Sequence, residues 1–585
     1  MGGIKNMNQE NRQCQNCKNQ FLIEPDDFAF YKKISVPPPT FCPDCRNQRR
    51  RAWRNDLSFY KSQCSLCGRS IITLYSPDKR LVVYCQKCWW SDAWDGKGYG
   101  RDYDFSRSFF EQFRELQNVV PLISMVNDDG IGSVNCEYAQ NVSLAKNCYM
   151  VSASWKNEEC AYSLQISGPE VRETFDCIDI FQKCEMIYDS IFLESCYRAR
   201  NCYRSFALIN CMFCYECRDC EDCFMSIGLR RRKYCFKNKQ YSKEEYGKIV
   251  KDYALDTWSG AERAKKEFRE FILGYPHEFA ILRNCINCTG DQMFNCKNMR
   301  DSFNVRGSED TKYFQNGNLI KSGYDMATGG ENEDCYEGIT PDNDYRTLFS
   351  IFSYKNSHAE YVENCHSGQN LFGCAGLKSA QYCILNKQYS KEEYQVIRAK
   401  IVAQMKEAGE YGEFFPANLS HFGYNETTAQ LYFPLTKEEA LIKGCRWQDN
   451  FQFTTGKETV RSCDLPNAIA DVKDSIMKEV LACVECRRNY LITHQELQFY
   501  RKTGVSLPRK CFYCRNLERY ALKLPFKLWE RSCSCGGDAS SNGIYKNSRP
   551  HFHGGSACSI EFETPYAPSR PEIVYCEQCY QAEVV

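Results

Sequence analysis

No apolar run in this 585-residue chain approaches the roughly 18 residues that a membrane span needs, which argues against a membrane protein. Net charge is nearly absent: 75 lysines and arginines face 74 aspartates and glutamates, giving +1. That balance excludes a globally basic nucleic-acid coat and an acidic solvating protein, leaving only local patches. There is no phosphate-binding glycine loop, no G-x-S-x-G, no H-E-x-x-H and no dinucleotide fingerprint, so no familiar catalytic signature is present. The amino terminus, MGGIKNMNQENRQC, has no apolar signal core, and the expectation is a cytoplasmic protein. Apolar residues at 43% and charged ones at 25% describe a globular chain rather than a disordered one. Its length implies a multi-module chain, about three to six domains.

Cysteine, by contrast, is abundant, at 39 residues. Disulfide scaffolds of that density are small and exported. Here the terminal cysteines fall into C-x-x-C pairs, the spacing of tetrahedral zinc sites. Cys14/Cys17 and Cys42/Cys45 are separated by 24 residues, and Cys64/Cys67 and Cys85/Cys88 by 17. Cys483/Cys486 and Cys511/Cys514 are again 24 apart, and Cys533/Cys535 with Cys576/Cys579 form a fourth set. A long loop in that last set carries His551, His553 and Cys558 as competing ligands. The expectation is about four structural Zn2+ ions, because four protein thiolates leave no open position for water or substrate.

The first and third sets are copies. A shift of 469 superposes their cysteines, Phe30-Tyr31 on Phe499-Tyr500, Lys33 on Lys502, Val36 on Val505 and Pro39 on Pro508. Arg46-Asn47 falls on Arg515-Asn516 and Arg50 on Arg519. The pattern Cys14–Arg50, repeated as Cys483–Arg519, resembles treble-clef zinc-ribbon modules. Over nearly its full length the chain also resembles a family of uncharacterised cysteine-rich, zinc-ribbon-containing proteins of candidate-phyla-radiation bacteria. Trp89–Trp94 (WWSDAW), Asp104–Phe113, the two NKQYSKEEY segments, Gly412–Ala429 and Pro434–Ala440 carry that likeness. The resemblance implies a shared architecture and zinc binding, and no particular activity.

The centre holds a second duplication. NKQYSKEEY occurs at Asn238–Tyr246 and at Asn386–Tyr394, an offset of 148 that also superposes Cys148 on Cys296, Cys217 on Cys365 and Phe224 on Phe372. Within the first copy, small residues recur every six positions: Cys184, Ser190, Cys196, Cys202, Leu208, Cys214, Cys220, Ser226. A short period of small residues broken by Asn and Asp predicts a β-solenoid, with cysteine as a compact buried filler and Asn135, Asn147, Asp176, Asn201, Asn210, Asp219 and Asp222 at turns or corners. Cys211, Cys214, Cys217, Cys220 and Cys223 at i+3 spacing also suggest an iron–sulfur run or a further zinc. Ser242-x-x-Glu245 and Ser390-x-x-Glu393 read as capping boxes that start helices over about 243–270 and 391–408. Asp104–Leu116 reads as an amphipathic helix.

The expected fold is therefore mainly β with small α+β zinc modules: two tandem parallel β-helix units flanked by paired zinc ribbons or treble clefs, with capping helices. The modules read as 1–58 and 59–100, linker helix 101–125, solenoid 126–240, helical connector 241–275, solenoid 276–388, helix 389–411, irregular linker domain 412–480, and zinc modules 481–525 and 526–585. Arginine clusters are the candidate contact surface. Arg46, Arg49, Arg50, Arg51 and Arg54 with Trp53, and the weaker Arg515 and Arg519, suit phosphate and base stacking. Arg487, Arg488, Arg509, Lys510 and Lys523 extend the weaker set, and Arg230–Lys233 form another cluster. The alternative for all of them is a solvated or internally paired face. The leading expectation is a cytoplasmic zinc-binding scaffold or adaptor contacting RNA, DNA, a ribonucleoprotein or protein. One alternative is an enzyme with its site in the solenoid groove and a glycan or nucleotide substrate, for which Glu413, His421, Tyr424, Asn425 and Glu426 are acid/base candidates. The other is metal or thiol-redox handling by the 23 remaining cysteines (39 minus 16).

Overall fold

The computed structural model describes residues 9–127, 132–136 and 138–584. Residues 1–8, part of the stretch read for an export signal, lie outside them. The described chain is mainly β, and no helix in it is long and apolar enough to cross a membrane. It divides into two compact units that cut across sequence order. The first contains residues 1–126 with 282–451, and the second contains 127–281 with 452–585. Each thus combines one terminal pair of cysteine modules with one copy of the central repeat, and the amino-terminal modules belong with the later copy.

Each repeat is an eleven-stranded sheet, parallel throughout except for a final antiparallel pair. In the first unit, register partners advance by twelve residues, from Tyr324 to Tyr336, Leu348, Glu360, Phe372 and Ile384. In the second unit the same step links Tyr203 to Tyr215 and Cys223 to Cys235. It lengthens where Ile178 meets Leu164 and Ile191. The six-residue period in the sequence is half of this step. The large, mostly parallel sheets are as expected, and they run as open paths without closing on themselves.

The backbone explains why small residues recur. Along both repeats about every third residue has positive φ, for example Asn210, Phe213, Glu216, Asp219, Asp222 and Met225. That region costs non-glycine residues on the order of 1 kcal/mol each. Asn and Asp tolerate it best, and all seven Asn and Asp residues expected at turns or corners occupy it. The side chain after most of these positions is buried. Cys211, Cys214, Cys217, Cys220 and Cys223 each follow one of these residues and are buried. The residues buried this way are Cys, Ala and Val with some Ile and Leu in one repeat, and include Met293, Met299 and Phe314 in the other. Side chains at the turns also stack from rung to rung, as when Asn201 donates to Asp189 and Asn304 to Asn316.

The terminal modules share a plan. In the first, strands Glu10–Gln13 and Gln20–Ile23 form a hairpin, and helix Pro43–Arg51 starts directly after Cys42, its N-cap. Proline at the first helical position suits that start, because its missing N–H would be unpaired there anyway. In the third, Leu481–Ala482 pairs with Asn489–Tyr490 and helix Phe512–Leu522 follows Cys511. The two capping boxes form as read, Ser242 with Glu245 and Ser390 with Glu393. The helical stretch after Ser242 divides into Lys243–Asp252 and Trp258–Ile272. The helix read over Asp104–Leu116 begins only at Phe109, because Asp104 accepts hydrogen bonds from the Ser106 amide and hydroxyl in a turn.

Candidate metal centres and the arginine helices

In each terminal module the hairpin turn presents two thiols and the following helix presents two more. The groups Cys14/Cys17/Cys42/Cys45, Cys64/Cys67/Cys85/Cys88 and Cys483/Cys486/Cys511/Cys514 each place four sulfurs within 4.8 Å of one another. A tetrahedral ion with metal–sulfur bonds of about 2.3 Å requires sulfurs about 3.8 Å apart. Cys17 and Cys42 are 3.7 Å apart, as are Cys486 and Cys511. Backbone amides prepare one ligand of each of these three groups. Burial alone would raise the Cys14 pKa, but the amides of Cys42, Cys17 and Asn16 bring it down to about 6. The same arrangement holds Cys64 at about 6 and Cys483 at about 7. A thiol so poised ionises readily and is ready to bind a cation.

The fourth group differs from the expectation. The four mutually close thiols are Cys533, Cys558, Cys576 and Cys579. Cys535 instead lies with His551, His553 and Cys579. Cys558 from the long loop, rather than Cys535 of the C-x-C pair, completes the first set.

The central cysteines are occupied otherwise. Cys211 donates to the carbonyls of Ile209 and Cys220, Cys214 to those of Met212 and Cys223, and Cys217 to those of Tyr215 and Ser226. These three thiols thus each reach two carbonyls, two residues back and nine ahead, whereas Cys220 reaches only that of Arg218. Serine at the same kind of position does likewise, as Ser190 does to Tyr188. Among the described residues, Cys211–Cys223 form no group close enough to share an ion.

The arginines are not an exposed face, and here the sequence reading needs correction. Arg46, Arg50, Arg51, Arg54 and Trp53 are each 1% exposed, and Arg519 is 2% exposed. Arg46 pairs with Asp325 at 2.8 Å, and Arg50 with Asp325 at 3.1 Å and Glu337 at 2.9 Å. Arg49 bridges Glu337 and Glu413 at 3.0 and 2.7 Å. Arg51 donates to Gln315 and Asn47, and Arg54 pairs with Asp56. Trp53 packs against Phe415. In the second unit Arg515 and Arg519 reach Asp176 at 3.1 and 3.0 Å, and Arg519 also reaches Asp189 at 3.3 Å. Burial would lower the Arg46 and Arg515 pKa values, yet the facing carboxylates raise both well above the ordinary value. Guanidiniums enclosed by carboxylates have no face left for phosphate. Of the weaker cations, Lys523 pairs with Asp179, Arg509 donates to the carbonyls of Leu465 and Pro466, and Lys510 meets Glu518.

Of the acidic partners the sequence singled out only Asp176, and that as a turn residue, although a signal was present. Asp176 and Asp325 are 149 residues apart and Asp189 and Glu337 are 148 apart, close to the repeat offset, so an acid recurs at matched positions of both copies. An aromatic contact accompanies each pair. Phe30 stacks on Tyr324 with centroids 3.9 Å apart, and Phe499 stacks on Phe175 at 4.0 Å.

The remaining candidates are packed. Burial holds the His421 pKa down at about 3, so the ring is neutral and solvent-excluded. Glu426 accepts from Tyr60 and Lys79, Glu413 from Thr40 and Arg49, and Tyr424 from Gln48. Gly412–Ala429 thus has Glu413 and Glu426 already paired, and Glu413 and Tyr424 line a cavity with Gln48 and Arg49. Trp89, Trp90 and Trp94 form an aromatic cluster with His366 inside the first unit.

No family model matches the chain, and no curated protein matches it. Among solved structures, one described as a "putative acetyltransferase" from Desulfovibrio desulfuricans G20 aligns at 8% identity, with a TM-score of 0.10. The match covers 40% of this chain and 64% of that one, and at that score it carries no argument.

Proposed function

We propose that this protein is a non-catalytic scaffold in which zinc-bound treble-clef modules clamp two β-solenoid units. The observation that carries the reading is the buried docking of each arginine helix on a matched pair of solenoid acids. A twelve-residue coil that carries aromatic side chains on its flank, such as Tyr324 and Phe175, needs them covered. It therefore gains from a clamp that fixes its flank, and four-coordinate zinc supplies the folding energy such small modules lack. Soft thiolates in closed tetrahedra favour zinc. Thirty-nine cysteines with no disulfide among the described residues suit a reducing compartment, and cytoplasmic placement belongs to the same proposal. The terminal arginines act in it as clamp residues and not as nucleic-acid contacts.

Elemental analysis of the full chain, purified from a reducing cytoplasm, tests the proposal. Zinc in every terminal module and no iron is the expected result. Iron, or a metal-free chain that unfolds no differently in the presence of a chelator, would overturn it.

A further inference from the structure

The carboxy-terminal module holds more ligands than one ion can use. Its all-thiol group is Cys533, Cys558, Cys576 and Cys579, and Cys558 lies 3.9 Å from Cys576. A second group, Cys535, His551, His553 and Cys579, is equally compact and shares Cys579 with the first. From these seven residues we infer a binuclear zinc cluster, with the Cys579 thiolate bridging a sulfur-only ion and an ion bound by two sulfurs and two imidazoles. The inference rests on the zinc reading of the modules and extends it from four ions to five.

The imidazoles carry the argument. A tetrahedral zinc with bonds of about 2.05 Å to nitrogen and 2.3 Å to sulfur sets its N and S ligands about 3.5 Å apart. His551 Nδ1 lies 3.3 Å from Cys535 Sγ, and His553 Nε2 lies 3.2 Å from Cys579 Sγ. The opposite ring nitrogens are held from outside. His551 Nε2 is 3.3 Å from Glu583 Oε2, and His553 Nδ1 is 2.7 Å from the Ser556 carbonyl. A carboxylate or carbonyl on the far nitrogen is the usual support of a metal-bound imidazole, because it fixes the tautomer that turns a lone pair toward the ion. Glu583 is itself positioned by Tyr545 and by the Ser548 amide, and Asn547 donates to Cys535 Sγ at 3.2 Å. His551 and Cys535 are buried, and Cys579 is fully so. The loop can close this tightly because Gly537, at φ +102°, passes so near the backbone of Gly555 that a Cβ would meet its carbonyl at 2.3 Å.

Charge favours sharing. A lone four-thiolate zinc site carries −2 (+2 −4). Two zincs with five thiolates and two neutral imidazoles carry −1 (+4 −5), so the second ion sits where negative charge has accumulated. Loading moves no electrons: each thiol releases its proton to solvent and each imidazole binds through a free lone pair. Both ions are fully coordinated by protein, and the cluster's role is to lock the 535–558 loop onto the hairpin and the terminal helix.

Zinc content of the full chain tests the inference. We expect five equivalents in the unaltered protein and four in the His551→Ala/His553→Ala variant. Four in both would overturn the binuclear site and leave the four-module reading standing, whereas no zinc at all would overturn both. Cobalt substitution of the unaltered chain gives a second measurement that does not depend on a variant folding. Two cobalt ions joined by one thiolate couple magnetically, so the spin signal should fall below that of five isolated ions. A signal equal to the sum of isolated ions would overturn the bridge.

Discussion

The two units are built from the same parts, yet their clamps are not equally elaborate. Both keep a two-arginine anchor, Arg46 and Arg50 on Asp325 and Glu337 in one unit, Arg515 and Arg519 on Asp176 and Asp189 in the other. Both keep the stacked aromatic pair. Beyond that core they diverge. Arg49 of the first unit reaches Glu413 in the covering loop, whereas the position 469 residues on is Glu518, an exposed residue paired with Lys510. The comparison separates what docking requires from what each covering segment adds. The anchor faces the stacked strands and is retained, while the rest of the helix surface follows whatever packs over it.

Metal removal should give the largest effect. Structural zinc contributes on the order of 10 kcal/mol per site in small modules, so a chelator should unfold the clamps of both units, read by the loss of helix and aromatic circular dichroism. Comparable losses in both units would support their equivalence. A second unit that resists longer would point to the extra ligands of its carboxy-terminal module.

Next come the anchors. Removing one partner from a buried ion pair leaves the other charge unpaired and costs about 3–5 kcal/mol. Arg50→Ala and Arg519→Ala should each destabilise their own unit by about that much in denaturant titrations. A loss below about 1 kcal/mol at either position would mean that the anchor is not equivalent in the two units.

The stacked aromatics rank alongside or slightly lower. Phe30→Ala and Phe499→Ala should cost about 3–5 kcal/mol each, as truncation of a large buried ring does. Unequal values would locate the better-packed clamp.

The cysteine interior should be far more forgiving. Cys217→Ser keeps the donor to the Tyr215 carbonyl, as Ser190 does to Tyr188. It should therefore cost less than about 2 kcal/mol and leave the metal content unchanged. Loss of a metal ion from this variant would revive the iron–sulfur or zinc reading of Cys211–Cys223.

The last effect, the smallest near neutral pH, distinguishes the units by pH. His421 belongs to the first unit, and the residue 148 positions earlier is Leu273. Burial lowers the His421 pKa to about 3 in the fold, against about 6.5 when unfolded. Its contribution is fully present above pH 6.5 and is lost as pH falls from there toward 3, by up to about 1.4 kcal/mol per pH unit. His421→Phe should make that part of the stability profile of the first unit less steep, with His366, also held at about 3 by burial, supplying the remaining slope, and leave the second unit unchanged.

Much of this architecture was legible in the sequence, for a physical reason. Left-handed turns about every third residue favour Asn and Asp, though Phe213, Glu216 and Met225 also adopt them, and the repeat shows itself in composition and spacing. The C-x-x-C turns likewise encode their ligands locally. Docking was not legible in the same way. The partners of Arg46 and Arg50 lie nearly three hundred residues away (325 − 46 = 279; 337 − 50 = 287), and a run of arginines looks the same whether it faces water or a carboxylate. Cys558 and the two histidines were visible as ligands. Their division between two ions depends on how the loop folds back, which spacing alone does not define.

Amide hydrogen exchange on full-length variants tests the crossed docking most directly. Cys14→Ser/Cys17→Ser disables the first clamp, and Cys483→Ser/Cys486→Ser disables the third. The account predicts that the first variant loses protection in strands Tyr324–Gly330 and Tyr336–Asp342 while Leu164–Phe175 and Cys184–Tyr188 stay protected, and that the second variant does the reverse. Loss of protection that follows proximity in sequence, with the first variant loosening Leu164–Tyr188, would contradict it.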